Sequence, residues 1–233
     1  MQARSQSWFG CTHKPSAFLP VAEARGLIVP IGYWVLGEAC RRLQAWRREG
    51  GNIVPIAVNM STMQLRDKSL PTRVADILDR TGLEAHFLEM EVAESSLVHL
   101  HTDASISTLS ELSRMGIRIT IDDLGDGCAS LKQLQCFPIN TVNLAPCFAK
   151  KMHNNSKSHV FTKALINFLK DLSFRVNAKG VETLAQLNYL EMQGCDGAQG
   201  FWLSKPLSAT HFGVLLGPDH PKLQLRQLAM RHH

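Results

Sequence analysis

The amino-acid sequence predicts an α/β fold built on a mostly parallel sheet. Short apolar runs alternate with segments of helical period at intervals of roughly 25–35 residues, the spacing of strand–helix crossovers. Polar residues gather at the C-terminal ends of the strand candidates: Asn59 after IAV, Glu91 and Glu94 around the end of FLEMEV, and Asp122-Asp123 after IRITI. No linker or low-complexity stretch divides the chain, so the elements read as one domain.

The elements follow in order. Pro30–Glu49 reads as a long helix closed by Gly50-Gly51, and 52–59 (NIVPIAVN) as a buried strand. Leu70–Thr81 carries apolar residues at helical spacing, with Gly82 as a stop. Phe87–Val92 alternates like a strand, Asp103–Met115 reads as a helix ending at Gly116, and Ile117–Ile121 and Thr141–Leu144 read as strands. Ser158–Leu172 is an amphipathic helix, followed by a strand at Arg175–Ala178, a helix at Thr183–Gln193 and a last strand at Ala198–Phe201. An open Rossmann-like sheet and a closed barrel both fit this order. The absence of a GxGxxG after the first strand removes the usual dinucleotide fingerprint.

Composition narrows the function classes. The 233 residues suit one large domain, and 45% hydrophobic against 19% charged residues supports a packed core. A net charge of +5 is compatible with anionic partners, but sparse aromatics and the lack of a Lys/Arg block argue against a nucleic-acid module. The longest apolar stretch, Gly26 to Gly37, is interrupted by Pro30 and falls short of the about 20 residues that span a bilayer. Six cysteines (11, 40, 128, 136, 147 and 195) form no CxxC pair and fit the reduced thiols of a cytoplasmic protein.

The carboxylates carry the chemistry. Asp122 and Asp123 with Glu91 and Asn59 on neighbouring strand ends make an all-oxygen set, which hard cations such as Mg²⁺ or Mn²⁺ favour. Two such ions would suit phosphodiester hydrolysis. The alternative from spacing alone is that the Asp pair and Asn59 cap the segments that follow them. His99 and His101 read as a solvated loop, Cys128 as packing, and His232-His233 as a frayed or tag-like end.

Several segments in register resemble the EAL domains, the bacterial cyclic di-GMP phosphodiesterases. They are Pro20-Val21-Ala22-Glu23 with Gly26-Leu27-Ile28, AVNMS (57–61), LEMEVAES (88–95), IDDLGDGCASL (121–131), FPINTVNL (137–144), KGVET (179–183) and GCDGAQGFWLSKP (194–206). The resemblance covers about residues 18–208. It implies a TIM-like (β/α)8 barrel, cutting of cyclic di-GMP to the linear dinucleotide pGpG, and two Mg²⁺ or Mn²⁺ ions. It assigns Asn59, Glu91, Asp122 and Asp123 to metal binding and Glu94 to steadying the loop after the Asp pair. Gln199 falls near the metal-bound water, and Glu182 at the second Glu of the EGVET motif, a loop-stabilising place.

Other positions depart from the family pattern. The catalytic Lys of the LKID motif falls at Asn143, which is neutral and cannot serve as a base. The Asp of that motif falls at Ala145, and the metal-ligating Glu that opens EGVET is replaced by Lys179. The EAL motif itself would align around Met1–Arg4, where no Glu occurs. Lys179 has two readings: it pairs with Asp122, Asp123 or Glu91 and imitates a metal's charge, or it swings out to solvent. The sequence therefore predicts a degenerate module with metal binding weakened or lost. It would act as a regulatory protein-binding module or as a cyclic di-GMP receptor through Gln199, Asp123, Lys179 and Pro206. The alternative is an active phosphodiesterase. The resemblance also implies roles in biofilm and motility control and is compatible with a homodimer.

The expected organisation is a divergent segment over 1–17, a barrel domain over 18–208 and an extension over 209–233. Residues 1–17 contain no run that reads as two strands. The barrel is therefore expected to be incomplete or altered in its first βα portion, leaving a sheet edge that something must cover.

Overall fold

The computed structural model describes residues 5–6, 12–13, 15–98, 100, 103–126, 134–150 and 156–217. His99, His101, Cys128, the 1–4 region and the C-terminal histidines lie outside them. Six strands make one parallel sheet in sequence order: β3 (Ile56–Met60), β4 (Leu88–Ala93), β5 (Arg118–Leu124), β6 (Thr141–Leu144), β7 (Arg175–Lys179) and β8 (Gly197–Gln199). Before them, β1 (Ser5–Gln6) and β2 (Thr12–His13) pair antiparallel as a separate two-stranded sheet. This corrects the expectation that the first 17 residues hold no strand pair. Two residues per strand are too few to show the period-2 pattern by which a strand is read.

Helices fill the crossovers: α1 (Pro15–Ala24), α2 (Ile28–Arg48), α3 (Thr62–Leu65), α4 (Leu70–Thr81), α5 (Glu94–Leu97), α6 (Asp103–Arg114), α7 (Pro146–Lys150), α8 (Ser156–Asp171), α9 (Leu184–Met192) and α10 (Ala209–Leu216). The α4 bounds match the sequence reading, because Gly82 adopts φ +69 and ends the helix in the left-handed conformation that glycine accepts cheaply. The last helix, α10, lies against α2: Phe212 meets Trp46 with ring centroids 5.4 Å apart, and Asn52 N–H donates to the Leu216 carbonyl at 2.8 Å.

Strand alternation sorts the sheet into two unlike faces. One carries Val58, Leu88, Met90, Val92, Ile119, Ile121, Val142, Leu144, Val176 and Ala178, all buried, in one core with Leu36, Leu43, Val74, Leu112 and Leu169 of the helices. The other carries Glu89, Glu91, Thr120, Asp122, Asn143, Asn177 and Lys179, joined by hydrogen bonds across the strands. The apolar face anchors the helices, and the polar face builds the site.

Candidate functional site

All six strands of the parallel sheet contribute to the site. In register, Asn59 lies beside Glu91, Glu91 beside Thr120, Asn143 beside Asn177, and Lys179 beside Gln199. The Asp pair does not follow β5, as the sequence suggests, but lies inside it. Ile121 pairs with Val142 and Leu124 with Leu144, so Asp122 and Asp123 together oppose the single residue Asn143. This β-bulge puts Asp123 at φ 56. Adjacent residues of a regular strand point to opposite faces; here the bulge lets both carboxylates reach the same ammonium.

That ammonium belongs to Lys179. Its Nζ lies 3.0 and 2.9 Å from Asp122 Oδ1 and Oδ2, and 2.8 Å from Asp123 Oδ1. Of the two sequence readings for Lys179, pairing with the aspartates is the one observed, and the side chain is 20% exposed. Burial favours its neutral form, but the bonds to Asp123 and Asp122 outweigh burial and hold its pKa above the ordinary lysine value.

Asn143, buried at the centre of β6, donates from Nδ2 to Glu91 Oε1 and to Asp122 Oδ1, both at 3.0 Å. Its Oδ1 accepts from Asn177 Nδ2 at 3.0 Å. Asn177 thus orients Asn143; the sequence reading passed over it, although its period-2 spacing from Lys179 puts both on one face of β7. Burial, and then the negative charge of Asp122, push the Glu91 carboxyl up to about 7.

Glu94 is buried at the start of α5, and its Oε2 accepts from Gly125 N–H at 2.8 Å. Gly125 has φ +102, and the Phe148 ring lies where any Cβ would stand, so glycine is required here. Gly125, directly after β5, is therefore tied to α5 through a carboxylate and packed against Phe148 of α7. Ser61, the last residue of the AVNMS segment, caps α3 reciprocally with Gln64.

The remaining sequence-predicted residues spread out. Asn59 is exposed at the rim beside Glu91. Gln199 and Pro206 are exposed, and Gln199 is placed by Val181 N–H donating to its carbonyl at 3.1 Å. Glu182 is exposed and lies 3.7 Å from Lys150 in a surface pair. Ala145 is buried and its N–H donates to the Leu124 carbonyl at 3.0 Å. As placed, this donor set does not fit a divalent cation. The oxygens of Asp122 and Asp123 already face an ammonium, and among the described residues no three His, Cys, Asp or Glu side chains are grouped to hold one ion.

Comparison with known proteins agrees with the geometry. The EAL domain family model matches residues 4–206. The chain belongs to the EAL domain family. Signaling protein YkoW of Bacillus subtilis is 37% identical over 203 residues, covering 87% of this chain and 25% of that protein. The bifunctional diguanylate cyclase/cyclic di-GMP phosphodiesterase MucR of Pseudomonas aeruginosa is 39% identical over 195 residues, covering 84% of this chain and 28% of that protein. The chain thus spans about a quarter of the length of these relatives. A solved structure of the MucR phosphodiesterase in its c-di-GMP complex superposes with a TM-score of 0.83 at 37% identity, covering 90% of this chain and 84% of that one. The fold is therefore the TIM-like barrel of EAL domains, and six of its strands stand in the parallel sheet described above. No helix among the described residues is long and apolar enough to cross a membrane.

Proposed function

We propose that this chain is an EAL module of cyclic di-GMP signalling that binds without hydrolysing. The observation that carries this reading is the Lys179 ammonium, 2.8–3.0 Å from the Asp122 and Asp123 carboxylates. A positive side chain there competes with any metal ion for the same oxygens. Asn143 adds a second obstacle. Its amide is spent as a donor to Glu91 and Asp122 and as an acceptor from Asn177, which leaves no group at that position to take a proton from water. Loss of one member of a cooperating catalytic unit commonly costs orders of magnitude in rate.

The ligand best supported is cyclic di-GMP. Gln199 is exposed beside Lys179 in the sheet register and Pro206 is exposed as well, which leaves polar surface open to a dinucleotide. A regulatory protein partner is the other form the same module takes. Among the described residues Cys40, Cys136, Cys147 and Cys195 form no disulfide, which favours a cytoplasmic setting. Calorimetry with cyclic di-GMP in EDTA separates the two forms: saturable heat supports the receptor, and its absence leaves the protein-binding form. Release of linear pGpG in the presence of Mn²⁺ would overturn both and establish the active phosphodiesterase.

A further inference from the structure

We infer that the Lys179 side chain is a built-in counter-ion that takes the place of divalent metal at this rim, so that the carboxylate cluster is held together with no metal bound. The inference concerns metal binding and builds on the non-hydrolysing reading.

The acceptors are Glu91 Oε1, both oxygens of Asp122, and Asp123 Oδ1. Lys179 Nζ, with three protons, faces three of them at 3.0, 2.9 and 2.8 Å. Asn143 Nδ2, with two protons, serves Glu91 Oε1 and shares Asp122 Oδ1, each at 3.0 Å. Glu91 Oε1 and both Asp122 oxygens accept hydrogen bonds from β6 or β7, and Asp123 Oδ1 makes the ion-pair contact with Lys179 alone. A divalent ion bridging the same carboxylates would sit at about 2.0–2.6 Å from them. That volume is the one the ammonium fills, so an ion can enter only if Lys179 leaves.

The fold keeps Lys179 there. Its backbone is the last residue of β7, in register with Gln199, and the chain then turns at Gly180, whose φ of +76 is packed against Pro146. Asp122 is buried inside the sheet with its side chain 7% exposed, so leaving it unpaired is unfavourable. The β5 bulge turns Asp123 toward the same ammonium, which ties the bulge to β7.

The test is a Mn²⁺ titration, read by calorimetry and by the electron paramagnetic resonance of free Mn²⁺, on wild type, K179E and D122N. The expected result is no saturable uptake by wild type at micromolar Mn²⁺ and an unchanged melting temperature with Mn²⁺ or EDTA. K179E is expected to bind Mn²⁺ at least tenfold more tightly and to melt higher when Mn²⁺ is added. Micromolar uptake by wild type that D122N abolishes overturns the inference, and this arm stands even if K179E does not fold. A folded K179E that binds no more tightly than wild type also overturns it. Uptake by wild type without turnover sinks this inference alone, whereas turnover sinks the functional reading as well.

Discussion

The two halves of the polar sheet face make an instructive contrast. Strands β4 and β5 bring acceptors to the rim: Glu91, Asp122 and Asp123. Strands β6 and β7 bring donors: Asn143, Asn177 and Lys179. The first half keeps what the EAL resemblance leads one to expect, and the second half replaces it. The halves nevertheless interlock, because Asn143 and Lys179 donate to the retained carboxylates and Asn177 donates to Asn143. The replacements are therefore compensating within the structure: they neutralise carboxylates that would otherwise repel one another inside a sheet.

The most damaging way to break the interlock is Lys179→Met. It leaves buried Asp122 with the Asn143 amide alone and half-exposed Asp123 without its counter-ion, and should cost about 3 kcal/mol of stability in urea unfolding. That figure sits at the low end for a broken pair because Asp123 is 42% exposed and water takes up part of the loss. The stabilisation carried by the raised pKa of Lys179 is present at neutral pH and is lost as pH rises through that pKa. Next comes Asn143→Leu, which strips a donor from Glu91 and Asp122 and an acceptor from Asn177. It should cost roughly 2–3 kcal/mol by the same measurement.

Glu91→Gln acts in the opposite direction. The native carboxyl is pushed from 4.5 to about 7, so the folded state binds its proton more tightly than the unfolded state. This group's contribution therefore declines as pH rises from about 4.5 through about 7. The Gln variant should equal wild type near pH 4.5 and exceed it near pH 8 by roughly 2 kcal/mol in paired pH-dependent melts. A flat difference across that range would show that burial does not hold Glu91 protonated. The smallest effect is expected at Glu94→Gln. It weakens the charge-assisted bond to Gly125 N–H by about 1 kcal/mol and should speed amide exchange at Gly125 more than at Ile119 in the strand.

Much of this fold was legible in the sequence, because apolar alternation in FLEMEV and helical spacing in Leu70–Thr81 are strong local signals. The short helices α3, α5 and α7 were missed, since four or five residues are too few to display a period. For α3 a usable signal existed in Ser61 and Gln64, the reciprocal cap. The candidate residues were legible one at a time, but not their arrangement. Alternation would turn Asp122 and Asp123 to opposite faces, and only the bulge, a non-local property of the β5–β6 register, brings both to Lys179. The role of Asn177 was hidden for the same reason, because it depends on a neighbouring strand and not on its own sequence context.

On the proposed reading, Lys179 and Asn143 leave this EAL domain unable to cut cyclic di-GMP. The direct measurement is chromatographic detection of pGpG after incubation of the purified chain with cyclic di-GMP and Mn²⁺ or Mg²⁺, with Asp122→Asn run in parallel. The account predicts pGpG at the level of the protein-free blank in every lane. Metal-dependent pGpG from wild type that vanishes in the Asp122→Asn protein would contradict it.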